Sequence, residues 1–230
     1  MVKQARKQGA KTFIHYSFPR HMSNKILSRR RDFIREACMG EGIEFVDLTA
    51  PDPTDSTGIE GAKQFLLDDV PRMVAKYGKD TAFFHTNCHI QATLIKAVLD
   101  NHAIFPQPCC PSPFHGFPEA LGIDNPNFDL HHIIDEASRI VKEKNMSDRF
   151  STWPVSAIMA CANAGVEYAI KWLDGKVPKT RIDNEVLLEC IEDYIREVLG
   201  EDGYVVMTSY EMDGATYDNV KWILMSYLDF

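Results

Sequence analysis

The first hundred residues alternate short, mostly apolar runs with longer segments in which apolar side chains recur every three or four positions. A short run rich in aromatic and β-branched residues favours a buried strand, and the longer period is typical of a helix packed by one face. Three strands are predicted over residues 11–17, 42–50 and 81–86, with a fourth near Ile104. Because strands and helices alternate, the expected fold is α/β, a parallel sheet with helices on both faces.

The intervening helices carry recognisable signals. Ser23 or Asn24 can cap the first long helix, because either side chain can accept a hydrogen bond from a free backbone N–H. The second helix, over residues 58–78, contains Pro71, which predicts either a kink or a helix that restarts with Asp69 as its cap.

Residues 106–127 interrupt the alternation, since the stretch PQPCCPSPFHGFPEALG holds five prolines and two glycines. A connection this long and aromatic is typical of a packed or functional loop. We divide the chain into a Rossmann-like lobe, residues 1–122, and a C-terminal part, residues 123–230, with a hinge crossing near 150–154. The elements predicted for the C-terminal part are a helix over 129–144, a helix ending at Gly175, a helix from Asp183 to Leu199, and a β-hairpin with its turn at 211–214.

Composition and charge narrow the classes of partner that the chain could bind. The 230 residues are 45% hydrophobic, enough for a sizeable core. With 33 acidic against 25 basic residues, only residues 3–35 are locally basic, which disfavours nucleic acid as a partner. No apolar run approaches the roughly 18 residues that a membrane span needs, and Met1 begins a polar segment unlike a secretory signal.

Polar groups follow the ends of all four predicted strands. In an open parallel sheet, ligands bind beyond the carboxyl ends of the strands, where the loops converge. The candidates are Tyr16, Ser17, Arg20 and His21 after the first strand, Asp52 and Thr54 after the second, Thr86, Asn87, Cys88 and His89 after the third, and residues 109–115 after the fourth. The sequence thus predicts a polar ligand site at this edge of the sheet.

Three consecutive arginines, Arg29 to Arg31, lie in the first long helix. At about 100° per residue, Arg30 falls in the middle of the apolar stripe, so it is not simply solvated. Two interpretations stay open. Either an arginine of this run snorkels to solvent or pairs with Asp32 or Glu36 on the same helix, or Arg29 or Arg30 reaches the strand-end cleft.

The six cysteines contain no CxxC pair and no zinc-finger spacing. Adjacent Cys109 and Cys110, with His115 five residues later and Cys88-His89 elsewhere in the chain, could chelate a soft metal. Scattered buried thiols are the simpler interpretation of Cys38, Cys161 and Cys190, and we predict no metal site and no cofactor. Cys88 at a predicted helix N-terminus could be a nucleophile. Because no nucleophile elbow or phosphate-binding loop accompanies it, no enzymatic activity is expected.

Several stretches resemble known families. The order of GAKTFIHYS, Arg29-x-x-x-Phe33, GIEFVDL, residues 81–103 and FSTWPV is similar to the second lobe of type I periplasmic-binding proteins and lactose-repressor-type sugar sensors. HYSFPRHMSN, VDLTAPDPT, KQFLLDDVP, YGKDTAFFHTNC and CCPSPFHGFPEALGI more closely resemble an uncharacterised bacterial family of periplasmic-binding-protein-like lipoproteins.

The resemblance implies a small-solute-binding lobe without catalysis, serving ABC-type uptake or sensing, with a transporter permease as partner and an extracytoplasmic or membrane-anchored location. It also implies that the first lobe is missing from this chain. The helix through Val166 and Ile170 is then expected to expose an apolar face through which chains could form homo-oligomers. The effector-binding domain of a transcription regulator would share the fold and is the alternative.

Carried over position by position, the resemblance assigns ligand contacts to Arg29 and Asn87. The end of the fourth strand departs from the family pattern, with CCPSPFHG where an Asp is common, which argues against a plain hexose as ligand. The remaining predicted ligand contacts are Tyr16, Ser17, Arg20, His21, Cys110, Ser112 and His115.

Overall fold

The structure, a computed structural model, describes residues 1–212 and 214–230, and the predicted turn at 211–214 includes Asp213, which lies outside the described residues. The chain forms two compact units, residues 1–152 with 229–230, and residues 153–228. The division thus falls after Thr152 and not at residue 122. The physical reason is that residues 123–152 pack with the first unit, where Phe150 stacks on Phe105 at 5.9 Å between ring centroids.

The first unit is an α/β fold, as predicted. Its parallel sheet has the order β2-β1-β3, with Thr12 of β1 opposite Glu44 of β2 and Thr81 of β3. The expected fourth strand is reduced to two isolated parallel bridges, between Ala82 and Ile104 and between Phe105 and Phe150. The elements are α1 (Val2–Lys7), β1 (Thr12–Ser17), α2 (Pro19–Met22), α3 (Lys25–Glu41), β2 (Glu44–Thr49), α4 (Gly58–Tyr77), β3 (Thr81–His85), α5 (Gln91–Asp100), α6 (Phe117–Leu121), α7 (Leu130–Glu143) and β4 (Ser151–Thr152).

Local side-chain chemistry sets the helix ends. The Asn24 side chain accepts hydrogen bonds from the first backbone N–H groups of α3, which confirms the predicted cap. α4 continues through Pro71 as one helix, so the restart at Asp69 does not occur. The Asp69 carboxylate is instead engaged by the core, where it accepts a hydrogen bond of 2.8 Å from the hydroxyl of Tyr16.

Helices cover both faces of the sheet. Phe13 and Phe84 point to one face and pack with Ile34 and Cys38 of α3. Tyr16 points to the other face, toward α4, with which α5 is also in contact. The chain therefore leaves β1 across one face and leaves β3 across the other. The gap between the carboxyl ends of β1 and β3 is the topological switch point, where open α/β sheets bind their ligands.

The second unit contains two helices and a hairpin, as predicted. α8 (Ala157–Leu173) packs against α9 (Asn184–Leu199), and β5 (Val205–Met212) pairs antiparallel with β6 (Ala215–Met225). The short β7 (Leu228–Asp229) leads back into the first unit. α8 exposes a series of apolar side chains, including the two predicted to do so. They are Ile158, Val166, Ile170 and Leu173.

The helices of the described residues differ in length and in apolar composition. None of them combines the length and the apolar composition that a membrane crossing requires.

Candidate functional site

A chain of polar side chains joins the carboxyl ends of β1 and β3. The hydroxyl of Ser17 lies 3.0 Å from that of Thr86, and the Thr86 hydroxyl lies 2.9 Å from Nδ1 of His21. Ser17 and Thr86 are buried, and the His21 ring packs on Phe18 at 4.0 Å between centroids. Burial, followed by the positive charge of Arg20, lowers the pKa of His21. The switch point thus carries two hydroxyls and one imidazole that favours its neutral form.

Arg20 and Asp52 form the outer rim of this region. The guanidinium donates two hydrogen bonds to the Asp52 carboxylate, at 2.7 Å from Nε and 2.8 Å from Nη2, and lies over the Phe18 ring. The hydrogen bonds from Arg20 hold the pKa of Asp52 well below its usual range. Asp52 also accepts from the backbone N–H and hydroxyl of Thr54. Arg20 therefore ties the loop after β1 to the loop after β2.

The buried Gln91 side chain fixes the end of β3 against the long loop. Its amide donates to the carbonyl oxygens of His85, at 3.1 Å, and Asn87, at 2.7 Å. Its Oε1 accepts from the backbone N–H of Cys109 at 3.2 Å. Gln91 is not among the residues that the sequence predicted for the site. The feature that could have identified it is a polar amide at a position that α5 buries together with its apolar side chains.

Three cysteines and one histidine converge beside the switch point. The Sγ atom of Cys88 lies 3.2 Å from that of Cys109 and 3.6 Å from that of Cys110. The Sγ atoms of Cys109 and Cys110 are 3.9 Å apart. Nε2 of His115 lies 3.6 Å from Sγ of Cys109. The side chains from two distant stretches of sequence thus form one cluster, which we call the Cys3His cluster.

The cluster distributes negative charge unevenly. Hydrogen bonds with Cys109 and Cys88 lower the pKa of Cys110, whereas hydrogen bonds with Cys110 and Cys88 raise the pKa of Cys109. This follows from simple electrostatics, since three thiolates within 4 Å of each other repel strongly unless a cation lies among them. Of these two adjacent cysteines, Cys110 is exposed and Cys109 is buried.

Arg30 reaches the switch-point side of the sheet, in line with its place in the apolar stripe. Its guanidinium lies over the Phe84 ring at 5.1 Å, and burial lowers its pKa. Among the described residues, the buried Nε has no hydrogen-bond partner. Arg30 is close enough to Cys88, Cys109 and Cys110 to interact electrostatically with all three.

The other predicted contacts have different surroundings. Tyr16 is fully buried, with its hydroxyl bonded to Asp69 in the core. Arg29 lies over the Phe33 ring on α3, at 5.2 Å. The buried Ser112 hydroxyl accepts the backbone N–H of the residue two positions later, which tightens the loop. Asn87 uses its side-chain oxygen to accept the backbone N–H two residues ahead, at 2.9 Å.

Gly116 lets the loop after the cysteines approach α5. It has φ +85°, and an added Cβ would lie 3.1 Å from the backbone nitrogen of Ala92, which cannot move aside. We expect Gly116→Ala to lower the free energy of unfolding by about 1–3 kcal/mol in denaturant titrations. Gly122→Ala is the matched control, because Gly122 has φ +68° with nothing within 4 Å of an added Cβ. Equal losses in the two variants would show that the close approach is unimportant.

Comparison with known proteins gives one family and few relatives. The model of a family described as "Protein of unknown function (DUF3798)" matches residues 1–151. Uncharacterised proteins of Treponema pallidum (strain Nichols) match at 40% identity over 95 residues, 41% of this chain and 44% of the relative, and at 49% identity over 49 residues, 21% and 22%. The chain thus matches less than half the length of these relatives.

A solved structure supports the fold. It is the crystal structure of a protein from Clostridium difficile 630, named as a candidate transcriptional regulator. The TM-score is 0.84 at 22% sequence identity, over 100% of this chain and 63% of that chain. At this level of identity, the likeness establishes the architecture alone.

Proposed function

The chain belongs to the DUF3798 family of proteins of unknown function, and we propose that it binds a small solute at the carboxyl ends of β1 and β3. The observation that carries this proposal is the position of Ser17, His21 and Thr86 at the switch point of the sheet. Loops from two neighbouring strands diverge there, which leaves a crevice lined by side chains from both. The groups that meet at this point bind hydroxyl, carboxylate or phosphate oxygens well.

The chemistry of the site favours an anionic solute. Arg30 brings a buried guanidinium nitrogen that has no hydrogen-bond partner among the described residues, beside an aromatic ring. A buried donor without an acceptor is unfavourable, so an oxygen atom of a ligand would stabilise it. The carboxylate or phosphate group of a solute can accept hydrogen bonds from the guanidinium of Arg30. Arg20, by contrast, already donates to Asp52 and would act as a rim residue.

Two cellular roles are compatible with solute binding and no catalysis. Uptake or sensing by an extracytoplasmic lipoprotein, with a transporter permease as partner, is the role that the sequence resemblance favours. The effector domain of a transcription regulator is the second candidate, favoured by the name of the similar Clostridium difficile protein. In the full-length protein, a lipidated cysteine after a signal peptide would indicate the first role, and a helix-turn-helix would indicate the second. In either role, the exposed apolar side chains of α8 offer a surface for homo-oligomer formation.

The solute proposal is tested with a panel of mono- and dicarboxylates, sugar acids and inorganic phosphate. Thermal shift identifies compounds that raise the melting temperature, since a ligand of the native state stabilises it, and calorimetry then gives the affinity. We expect Arg30→Met to weaken binding of a hit by about 10- to 150-fold, which corresponds to losing a charged hydrogen bond of about 1.5–3 kcal/mol. Methionine keeps an apolar stem over Phe84, so the fold should persist.

Arg72→Met is the matched control, because Arg72 is an exposed arginine of α4. Arg29→Ala tests the contact that the family resemblance implies, and a loss of affinity in this variant would extend the site along α3. If no member of the panel stabilises the protein, or if Arg30→Met binds a hit as tightly as the unmodified chain, an anion site at Arg30 is ruled out.

A further inference from the structure

We propose that the Cys3His cluster binds one thiophilic divalent cation, with Cys88, Cys109, Cys110 and His115 as ligands and Zn²⁺ as the ion that fits their chemistry best. The sequence predicted no metal site, because the ligands show no CxxC or finger spacing and Cys88 is far along the chain from the other three. The proposal does not depend on solute binding. It rests on distances, ligand type and local charge.

The observed distances are close to those of a tetrahedral site. With Zn–S bonds of about 2.3 Å and Zn–N bonds of about 2.0–2.1 Å, neighbouring ligand atoms of a tetrahedron lie about 3.5–3.8 Å apart. The three sulfur–sulfur distances are 3.2, 3.6 and 3.9 Å, and the distance from Sγ of Cys109 to Nε2 of His115 is 3.6 Å. The ligand atoms of Cys88, Cys109 and His115 all lie within 4.8 Å of one another. Small side-chain rotations would suffice to enclose an ion.

The donor set selects the class of metal. Thiolate and imidazole are soft or borderline ligands that favour Zn²⁺ and related ions over Mg²⁺ or Ca²⁺. Three thiolates around a divalent cation leave a net charge of −1 on the complex. Arg30 supplies the compensating charge, since it lies within electrostatic range of all three sulfurs. The half-buried guanidinium of Arg30 thus lies next to the cluster as a fixed positive charge.

The backbone holds the ligands in place. Cys88 begins the turn that Asn87 caps at the end of β3, and the backbone N–H of Cys109 is bonded to Gln91. Gly116 follows His115 and allows that part of the loop to pack on α5. The site is therefore built on α5 and on the end of a buried strand. Such preorganisation lowers the cost of assembling four ligands around an ion.

A disulfide between Cys88 and Cys109 is the competing use of these residues, since their sulfurs are 3.2 Å apart. It would leave Cys110 and His115 without a role, although both sit against the same pair of sulfurs. A metal ion uses all four side chains. The geometry therefore favours the metal, and the disulfide becomes one outcome of the test.

The experiment uses the full chain, reduced and freed of metal with a chelator that is then removed. Co²⁺ is titrated as a spectroscopic probe, and Zn²⁺ is then added in competition. We expect one Co²⁺ per chain, with thiolate-to-cobalt charge-transfer absorption and the intense visible bands of tetrahedral coordination, and full displacement by Zn²⁺. Bound Zn²⁺ should also protect three cysteines from alkylation without the mass change of a disulfide.

Single variants define the ligand set. Loss of a residue that only supports a metal ligand costs about 10- to 100-fold in affinity, so Cys88→Ser, Cys109→Ser, Cys110→Ser and His115→Asn should each cost more than about 100-fold. Cys161→Ser and His89→Asn are matched controls, because Cys161 is an exposed cysteine of α8 and His89 is an exposed neighbour of Cys88. Both controls should bind like the unmodified chain.

The proposal is overturned if the reduced chain binds Co²⁺ without the charge-transfer band, or if the cysteine variants keep full affinity. It is also overturned if peptide mapping finds a Cys88–Cys109 disulfide and the reduced protein binds no metal. Alkylation of the unmodified chain needs no variant, so a ligand variant that fails to fold leaves the test intact. Because only metal ions are added, failure here is distinguishable from failure of the solute proposal, which is measured by thermal shift and calorimetry with carboxylates, sugar acids and phosphate.

Discussion

Replacing Phe84 with alanine is expected to lower the free energy of unfolding by about 3–5 kcal/mol, the range for truncating a buried aromatic side chain. Phe84 is 1% exposed, lies in β3, and packs in the cluster that contains Phe13 and Ile34. Its ring also stacks on His15 at 5.9 Å and lies under the guanidinium of Arg30. The substitution would therefore remove core packing and the surface on which Arg30 rests.

Urea or guanidinium titration followed by circular dichroism measures the loss. Phe128→Ala is the matched control, because Phe128 is 80% exposed and surface substitutions usually change stability by less than about 0.5 kcal/mol. Similar losses in the two variants would contradict the position of Phe84 in the core. The metal affinity of the Phe84→Ala variant should also fall, since the Phe84 ring positions the guanidinium of Arg30 beside the Cys3His cluster.

Acid is expected to destabilise the protein through His85. Burial lowers the pKa of this histidine from its usual 6.5 to about 3, so the folded state keeps it neutral. Between pH 6.5 and 3 the unfolded state binds a proton that the folded state does not, and stability therefore falls as the pH falls. The loss attributable to His85 is about 2 kcal/mol between pH 7 and pH 5, and about 4 kcal/mol at pH 3.

His85→Asn isolates this contribution. Nδ1 of His85 accepts the backbone N–H of Asn87 at 2.9 Å, and the side-chain oxygen of asparagine can accept the same bond. The variant will be less stable at neutral pH because it loses buried ring atoms. The informative quantity is the difference in unfolding free energy between the unmodified chain and the variant, which should shrink by about 2 kcal/mol from pH 7 to pH 5. A difference that stays constant would show that His85 does not govern the acid response.

Local sequence signals identified the three main strands and the long helices of this protein, but not the short helices α1, α2 and α6. The predicted strands at residues 11–17, 42–50 and 81–86 are present within one or two residues, and so are the helix capped by Asn24 and the helix that begins after Asp183. These features depend on residues within one or two turns of each other. Apolar periodicity decides which face is buried, and a capping side chain needs only the first free N–H groups of its own helix.

The parallel α/β architecture also followed from the sequence, because alternating strands and helices leave few alternatives. The number of strands in the sheet, however, did not follow from the sequence. Ile104 contributes one bridge and no full strand, since the prolines that follow it cannot donate to a ladder. Likewise the boundary between the two units could not be read from composition, because residues 123–152 pack with the first unit across the irregular loop.

The composition of the candidate site was decided by tertiary structure. Tyr16 and Ser17 are neighbours in sequence, yet alternation along β1 sends Tyr16 to Asp69 in the core and Ser17 to Thr86 at the switch point. The strand order β2-β1-β3 brings the ends of β1 and β3 together, and no local signal encodes that order.

The Cys3His cluster shows the same division. The sequence contains its three cysteines and one histidine, but 21 positions separate Cys88 from Cys109, and their spacing fits no known metal motif. They meet because α5 and the parallel segment at Ile104 return the chain to the edge of the sheet where Cys88 lies, and Gln91 anchors the backbone of Cys109 there. Local chemistry thus determined which groups were available, and the long-range closure of the fold determined which of them are in contact.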